Sequence, residues 1–282
     1  MQVFNDISEM QAWCLAKKRQ GMKIGLVPTM GYLHAGHLSL VKEAGKRCDM
    51  VVVSIFVNPT QFGPNEDFDN YPRDIEEDCK KLAAEKVDAV FSPAVRDMYP
   101  QGYNSWVQLE GEITTKLCGA SRPVHFRGVT TVVSKLFHIC QPDMAFFGQK
   151  DAQQAMIIEK MTRELNFPVA IVRVPIMREA DGLAMSSRNV YLDSEQRQQA
   201  LVLSRSLQQV KTLFEGGEHN VSALKQKIRE VISTASQADI DYVEIYDAED
   251  LSDVEEITGR ALVALAVRFG NTRLIDNLIL EV

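Results

Sequence analysis

Val27-Pro28-Thr29-Met30-Gly31-Tyr32-Leu33-His34-Ala35-Gly36-His37-Leu38-Ser39-Leu40-Val41-Lys42 is the stretch on which the fold turns. Ile24 to Val27 is a short apolar run closed by Pro28, and from His37 onward Leu38, Val41 and Ala44 recur at helical spacing, so the segment reads strand, loop, helix. The next apolar run, Met50 to Val57, is nearly continuous and β-branched, as a strand covered on both faces should be. Two such strands around one helix make a parallel βαβ unit. The loops after Val27 and after Val57 then open on one edge of the sheet, the edge where ligands bind, and Gln61 faces the histidine loop. His34 and His37 stand at a helix start, where free N–H groups and a partial positive charge favour phosphate. Both rings can donate hydrogen bonds to phosphoryl oxygens, more strongly when protonated, and Gly31 and Gly36 admit a close ligand.

Working outward, Ile7 to Arg19 is predicted helical with Gly21 as its stop. Pro72 to Glu85 is predicted helical, followed by a strand over Val87 to Phe91. The acidic residues Asp74, Glu76, Glu77 and Asp78 complement the helix dipole, with Glu77 or Asp78 as the alternative contact to a metal-bound phosphate. Met98 to Arg127 lacks periodicity. Its cationic end, Arg122 to Gly128, reads equally as a solvated loop or as an anion or dimer contact. Val129 to Ile139 reads as a helix, Met144 to Phe147 as a buried strand, and Gly148-Gln149-Lys150-Asp151-Ala152-Gln153-Gln154 as a second strand-to-helix loop with a lysine suited to phosphate. After a strand over Ala170 to Ile176 comes Met185-Ser186-Ser187-Arg188, two hydroxyls beside a forked guanidinium.

Beyond Arg188 the pattern changes. A helix from Ser194 to about Phe214 ends at Gly216-Gly217, a second occupies Ser222 to Ala235, and three strands follow around Asp241 to Tyr246, Ala261 to Phe269 and Thr272 to Asn277, the last two joined at Gly270-Asn271. The whole reads as an α/β protein, a Rossmann-like doubly wound parallel sheet over residues 1–177 with a smaller C-terminal α+β domain over 178–282 placed to act as a lid.

Composition limits the function. The 282 residues are 45% hydrophobic and 24% charged, with a net charge of −7, which argues against extended nucleic-acid contact. Cys14, Cys48, Cys79, Cys118 and Cys140 are odd in number and never at Cys-x-x-Cys spacing, so neither a disulfide framework nor a thiolate zinc site is indicated. With no signal-peptide stretch and no segment fit to span a bilayer, a cytoplasmic protein is expected.

Pro28 to His37, Phe56 to Phe62, Phe147 to Asp151 and Met185 to Asn189, taken in this order and spacing, closely resemble the pantothenate synthetases, the pantoate:beta-alanine ligases. The His-x-Gly-His element alone marks the wider nucleotidyltransferase superfamily. The resemblance runs nearly end to end, with Gln149 standing where relatives often carry Glu and Val124 where they often carry Gly. It implies that ATP and (R)-pantoate form a pantoyl adenylate and diphosphate, after which beta-alanine displaces AMP. By the same likeness His34, His37 and Lys150 are catalytic. ATP contacts fall to Met30, Gly31, Tyr32, Leu33, His34, Ala35, Gly36 and His37, to Gly148, Gln149, Lys150 and Asp151, and to Met177, Met185, Ser186, Ser187 and Arg188. Gln61 and Gln154 hold pantoate, Gln61 also borders beta-alanine, and Mg2+ accompanies ATP with no protein ligand assigned. A homodimer is implied. Rival readings are a nucleotidyltransferase acting on a phosphorylated acceptor, a non-catalytic nucleotide sensor, and a transfer-RNA synthetase, which the missing basic face argues against.

Overall fold

Residues 1–64 and 66–282 are described by the structure, a computed structural model. In chain order they form β1 (Gln2–Phe4), α1 (Ile7–Arg19), β2 (Ile24–Thr29), α2 (Ala35–Arg47), β3 (Met50–Ile55), α3 (Ile75–Ala84), β4 (Ala89–Phe91), α4 (Val95–Met98), α5 (Cys118–Ser121), α6 (His125–Cys140), β5 (Met144–Gly148), α7 (Ala152–Glu164) and β6 (Ala170–Val174). There follow α8 (Ser194–Gln199), α9 (Val202–Glu215), α10 (Val221–Ile232), β7 (Ala238–Asp247), β8 (Arg260–Phe269) and β9 (Thr272–Glu281).

Two compact units emerge. The first comprises Met1–Thr114, Cys118–Gly148 and Gln153–Pro175; the second comprises Thr115–Leu117, Gln149–Ala152 and Ile176–Val282. In the first, six parallel strands run in the order β1-β4-β3-β2-β5-β6. The order reverses between β2 and β5, so the loop leaving β2 emerges at the topological switch point, where doubly wound sheets bind ligands. β2 stays in register with β3 as far as Thr29↔Ile55 but pairs with β5 only at Gly25 and Leu26. Pro28 therefore sits inside β2, one step further than the apolar run suggested. The ladder to β5 has already ended there, so its missing N–H interrupts nothing on that side.

One apolar layer, including Leu26, Val52, Val133 and Phe137, fills one face of the sheet; the other, including Val27, Val41, Val53 and Leu82, fills the opposite face. This alternation along β2 and β3 follows from the two-residue period of a strand. The helix expected over Pro72 to Glu85 begins later, at Ile75, because Asp74 accepts the Glu77 N–H and caps it. The strand expected from Val87 begins at Ala89. Val87 still donates to Leu82 O in the helix-ending turn, and the Asp88 carboxylate caps the Val51 N–H. Strand β1 is three residues long and carries no alternation to read.

The second unit packs α9 and α10 against the antiparallel sheet β7-β8-β9 around a single apolar cluster. The helix expected from Ser194 to Phe214 is two helices. Asp193, not Ser194, caps the first, and Leu203 N bonds to Ala200 O across a tightened turn, which an uninterrupted apolar pattern cannot reveal. The Gly270-Asn271 hairpin forms with Gly270 at φ 58°. Among the described residues no helix is long and apolar enough to cross a membrane.

Candidate functional site

Thr29 closes β2 by donating its hydroxyl to Ser54 O at 2.8 Å, and its oxygen accepts the Gly31 N–H at 3.2 Å. Gly31 and Tyr32 then both take positive φ, 81° and 52°. This turn points the N–H groups of Tyr32 and Leu33 the same way, onto the two oxygens of Asp78 at 2.7 Å each. A Cβ on Gly31 would lie 3.1 Å from that carboxylate and 3.0 Å from Ile55. Lys81, one turn along α3, donates to Leu33 O at 2.9 Å. Asp78 is 1% exposed. Burial pushes its carboxyl upward, against the pull of the two N–H groups and of Lys81. Both oxygens of Asp78 thereby hold the loop, a role beyond complementing the helix dipole. Replacing Asp78 with Ala strips two N–H donors of this acceptor, each such loss costing about 1–3 kcal/mol. Urea unfolding is the check, and an unchanged midpoint would remove Asp78 from the loop's support.

His34 is the N-cap of α2, with extended backbone. Its Nδ1 accepts from Gly36 N at 3.1 Å, while His37 Nδ1 accepts from His34 N at 3.3 Å, a capping box built from two imidazoles. The ring centroids are 4.0 Å apart. Because each Nδ1 receives a backbone proton, the neutral rings carry their own proton at Nε2. The expectation that protonated rings donate better meets a structural counterweight, since a doubly protonated imidazole has no lone pair for the cap. Ala35 and Gly36 complete a first turn that contains no acidic residue, as an anion-binding helix start requires.

Gln61 ends a 3-10 turn over Pro59–Gln61 that Asn58 caps. Its side-chain Oε1 accepts from Asn58 Nδ2 at 3.0 Å, and its Nε2 donates to Met30 Sδ at 3.3 Å, which brings it to the histidine loop. Tyr99 and Thr60 donate to Asn58 Oδ1 at 2.8 and 2.9 Å, and burial pushes the Tyr99 phenol up to about 12. The backbone carbonyl of Gln61 accepts from His125 Nδ1 at 2.9 Å and Arg122 Nη2 at 3.2 Å. Arg122 to Gly128 is thus no solvated loop. It leads into α6 and grips Gln61 from behind.

Arg122 also forms a fork with Glu66, 2.7 Å from Nε and 2.5 Å from Nη2. Burial raises the Glu66 carboxyl, but Arg122 outweighs it and holds the group below the ordinary carboxylate range. A depressed folded pKa contributes stability that is complete above the unfolded value and is lost as pH falls through the folded one. Glu66→Gln should therefore flatten the acid side of the stability–pH profile and leave its neutral-to-alkaline shape alone. Parallel acid limbs for the two proteins would dismiss the fork as a contributor.

Gln154 lies half-buried on the first turn of α7, whereas its neighbour Gln153 is buried and structural, accepting from Cys118 N at 3.0 Å and donating to Ile113 O at 2.9 Å. In the second unit, Gln149–Asp151 is a 3-10 turn, and Lys150 Nζ lies 3.1 Å from Asp151. Gly148, the residue before that turn, ends β5. Met177 O accepts from Met185 N at 3.0 Å, and Arg178 bridges to Ala184. Ser186 caps a 3-10 turn over Ser187–Tyr191 by accepting the Arg188 N–H at 3.2 Å, which leaves its hydroxyl proton to donate elsewhere; Ser187 is buried.

Two supports escape a reading of the sequence. Asn58 announces itself only as an Asn before Pro at a helix start. Asp78 lies in the first turn of α3 but in line with Leu82 on its buried face, and that placement is the signal that it does more than complement a dipole.

Residues 2–279 match the family model described as Pantoate-beta-alanine ligase. A pantothenate synthetase of Syntrophomonas wolfei is 62% identical over 282 residues, all of both chains. The crystal structure of pantothenate synthetase from Thermus thermophilus superposes with a TM-score of 0.94 at 44% identity, covering 99% of each chain. A pantoate-beta-alanine ligase from Francisella tularensis, complexed with beta-gamma ATP and beta-alanine, superposes with a TM-score of 0.82 at 36% identity, covering 99% of this chain and 97% of that one.

Proposed function

Because the chain belongs to the pantoate-beta-alanine ligase family, we propose that it condenses (R)-pantoate with beta-alanine using ATP, giving pantothenate, AMP and diphosphate through a pantoyl adenylate. The observation that carries the reading is the imidazole capping box at the start of α2, at the switch point of the sheet. A carboxylate acylates an amine poorly until its oxygen becomes part of a good leaving group. When the pantoate carboxylate attacks the α-phosphorus, negative charge grows on the phosphoryl oxygens, and donors already in place lower the barrier most. The Nε2–H groups of His34 and His37 are such donors.

Lys150 supplies a point charge to the triphosphate once it exchanges Asp151 for phosphate, and Ser186, Ser187 and Arg188 add hydroxyl and guanidinium donors. Met30 to Gly36, Gly148, Gln149, Asp151 and Met185 are assigned to ATP as residues of the loops that meet it, and the Met177 N–H to the adenine edge, its carbonyl being engaged with Met185. Gln61 takes pantoate with the amide nitrogen, because Asn58 occupies its oxygen, and Gln154 is the second amide. Gln61 also borders the incoming beta-alanine. Magnesium enters as part of the ATP substrate. Glu77, half-buried beside Lys80, and Asp78, bound to backbone, are not assigned to it. A homodimer and a cytoplasmic location belong to the same proposal.

Labelled diphosphate should exchange into ATP when pantoate is present and beta-alanine is absent, since only the carboxylate and ATP take part in the first step. Adding beta-alanine should release pantothenate and AMP in equal amounts. Exchange that requires beta-alanine, with no trappable acyl adenylate, would replace this mechanism with a concerted one.

A further inference from the structure

Only two carboxylates of the described residues are buried, Asp78 and Asp276. Asp78 holds the histidine loop, and Asp276 has a comparable role in the second unit. It is 2% exposed on β9, on the same face as Leu274 and Leu280 of the apolar cluster, where a lone charge would be costly. Its oxygens receive Arg178 Nη1 and Nη2 at 2.6 and 2.9 Å, and the same guanidinium donates to Gly182 O at 3.1 Å. The fork thus fixes the start of the segment that runs on through Met185 to Arg188.

The next residue, Asn277, turns to the other face and is 4% exposed. Its Nδ2 donates to Gln149 O and to Lys150 O, both at 2.9 Å, while its Oδ1 accepts from Gln149 Nε2 at 3.1 Å. Only one orientation of the amide satisfies all three partners, because the reverse would set an oxygen against two carbonyls. β9 is an edge strand, and the 3-10 turns of Gln149–Asp151 and Ser187–Tyr191 both pack on it.

We propose that Asp276 and Asn277 are positioning residues for the nucleotide, one dipeptide on a rigid strand setting both the Lys150 turn and the Met177–Arg188 segment. Neither residue is assigned a contact with ATP; Asn277 acts through the backbone of Lys150 and Asp276 through Arg178. The inference rests on the assignment of these two segments to ATP.

The test is steady-state AMP release by the full chain, with ATP and pantoate varied separately. Asn277→Ala should raise the KM for ATP roughly tenfold to hundredfold, the scale of an ångström-sized misplacement, and leave the KM for pantoate unchanged. In a Lys150→Ala background the same substitution should add little, since its route is already gone. Asp276→Asn keeps the shape of the side chain but weakens the fork, and should shift the ATP KM in the same direction if Asn277→Ala fails to fold. Equal losses for ATP and pantoate, or full additivity with Lys150→Ala, would overturn the proposal. Failure of the unmodified chain to release AMP would instead refute the functional reading. Calorimetry with a non-hydrolysable ATP analogue would then decide positioning alone, with undiminished binding by Asn277→Ala counting against it.

Discussion

His37→Ala should slow adenylate formation by about 10²–10³, equivalent to roughly 2.7–4 kcal/mol, while ATP affinity changes far less, because the imidazole matters most when charge develops on phosphorus. The capping box complicates the substitution, since His37 Nδ1 also accepts the His34 N–H. Alanine removes both functions at once. His37→Gln separates them: a glutamine at the third helical position offers an amide oxygen for the cap, as in the ordinary capping box, but no imidazole. Single-turnover mixing with ATP and pantoate should find the glutamine variant nearly as slow as the alanine variant. Should glutamine restore the rate, His37 would be a helix cap and the donor role would pass to His34 and Lys150.

Gly128→Ala should be strongly damaging although Gly128 itself meets no substrate. Gly128 lies in α6 where the helix meets the turn carrying Gln61, and a methyl there would sit 2.4 Å from Thr60 O and 2.6 Å from Gln61 N. Those neighbours are backbone and cannot swing aside. Either α6 or the turn must move, at a cost typical of overpacking, about 1–3 kcal/mol, and a displaced Gln61 amide loses up to about 100-fold in pantoate turnover. Gly45 in α2 provides the contrast, because nothing lies within 4 Å of a Cβ there and the helix gains about 0.5–1 kcal/mol from alanine. The kcat/KM for pantoate, read beside thermal unfolding of both variants and Gln61→Ala, decides it. Wild-type kcat/KM in Gly128→Ala would show that the turn yields without consequence for pantoate.

What could be read from the chain follows from how local each signal is. Ile7–Arg19 forms as expected because Asp6 and Gly21 bracket it within a few residues. The βαβ reading around His34 holds for the same reason, since strand, loop and helix are contiguous and the strands pair in parallel. The supports of the several loops are another matter. Asp78, Asn58, His125 and Asn277 take their roles from partners far along the chain, and nothing within a few residues of each announces the partner. The cationic run at Arg122 misleads for that reason, as its charge is answered by Glu66, 56 residues away.

The switch point has a kinetic consequence. β2 finds β3 almost at once during synthesis, but its other neighbour arrives much later; Ile24 N and the Asp143 carboxylate that caps it are 119 residues apart. Contacts of such separation form slowly, since a long loop must close before they yield any gain. Until β5 docks, the Gly25–Leu26 edge of β2 stands open, a template for pairing with the wrong strand or another nascent chain. The side of the sheet that borders the histidine loop should therefore be completed late, after β3 has joined β2. A folding intermediate of this protein should hold a formed β2-α2-β3 layer with no nucleotide affinity, and its aggregation should depend on how quickly residues 144–148 reach their place.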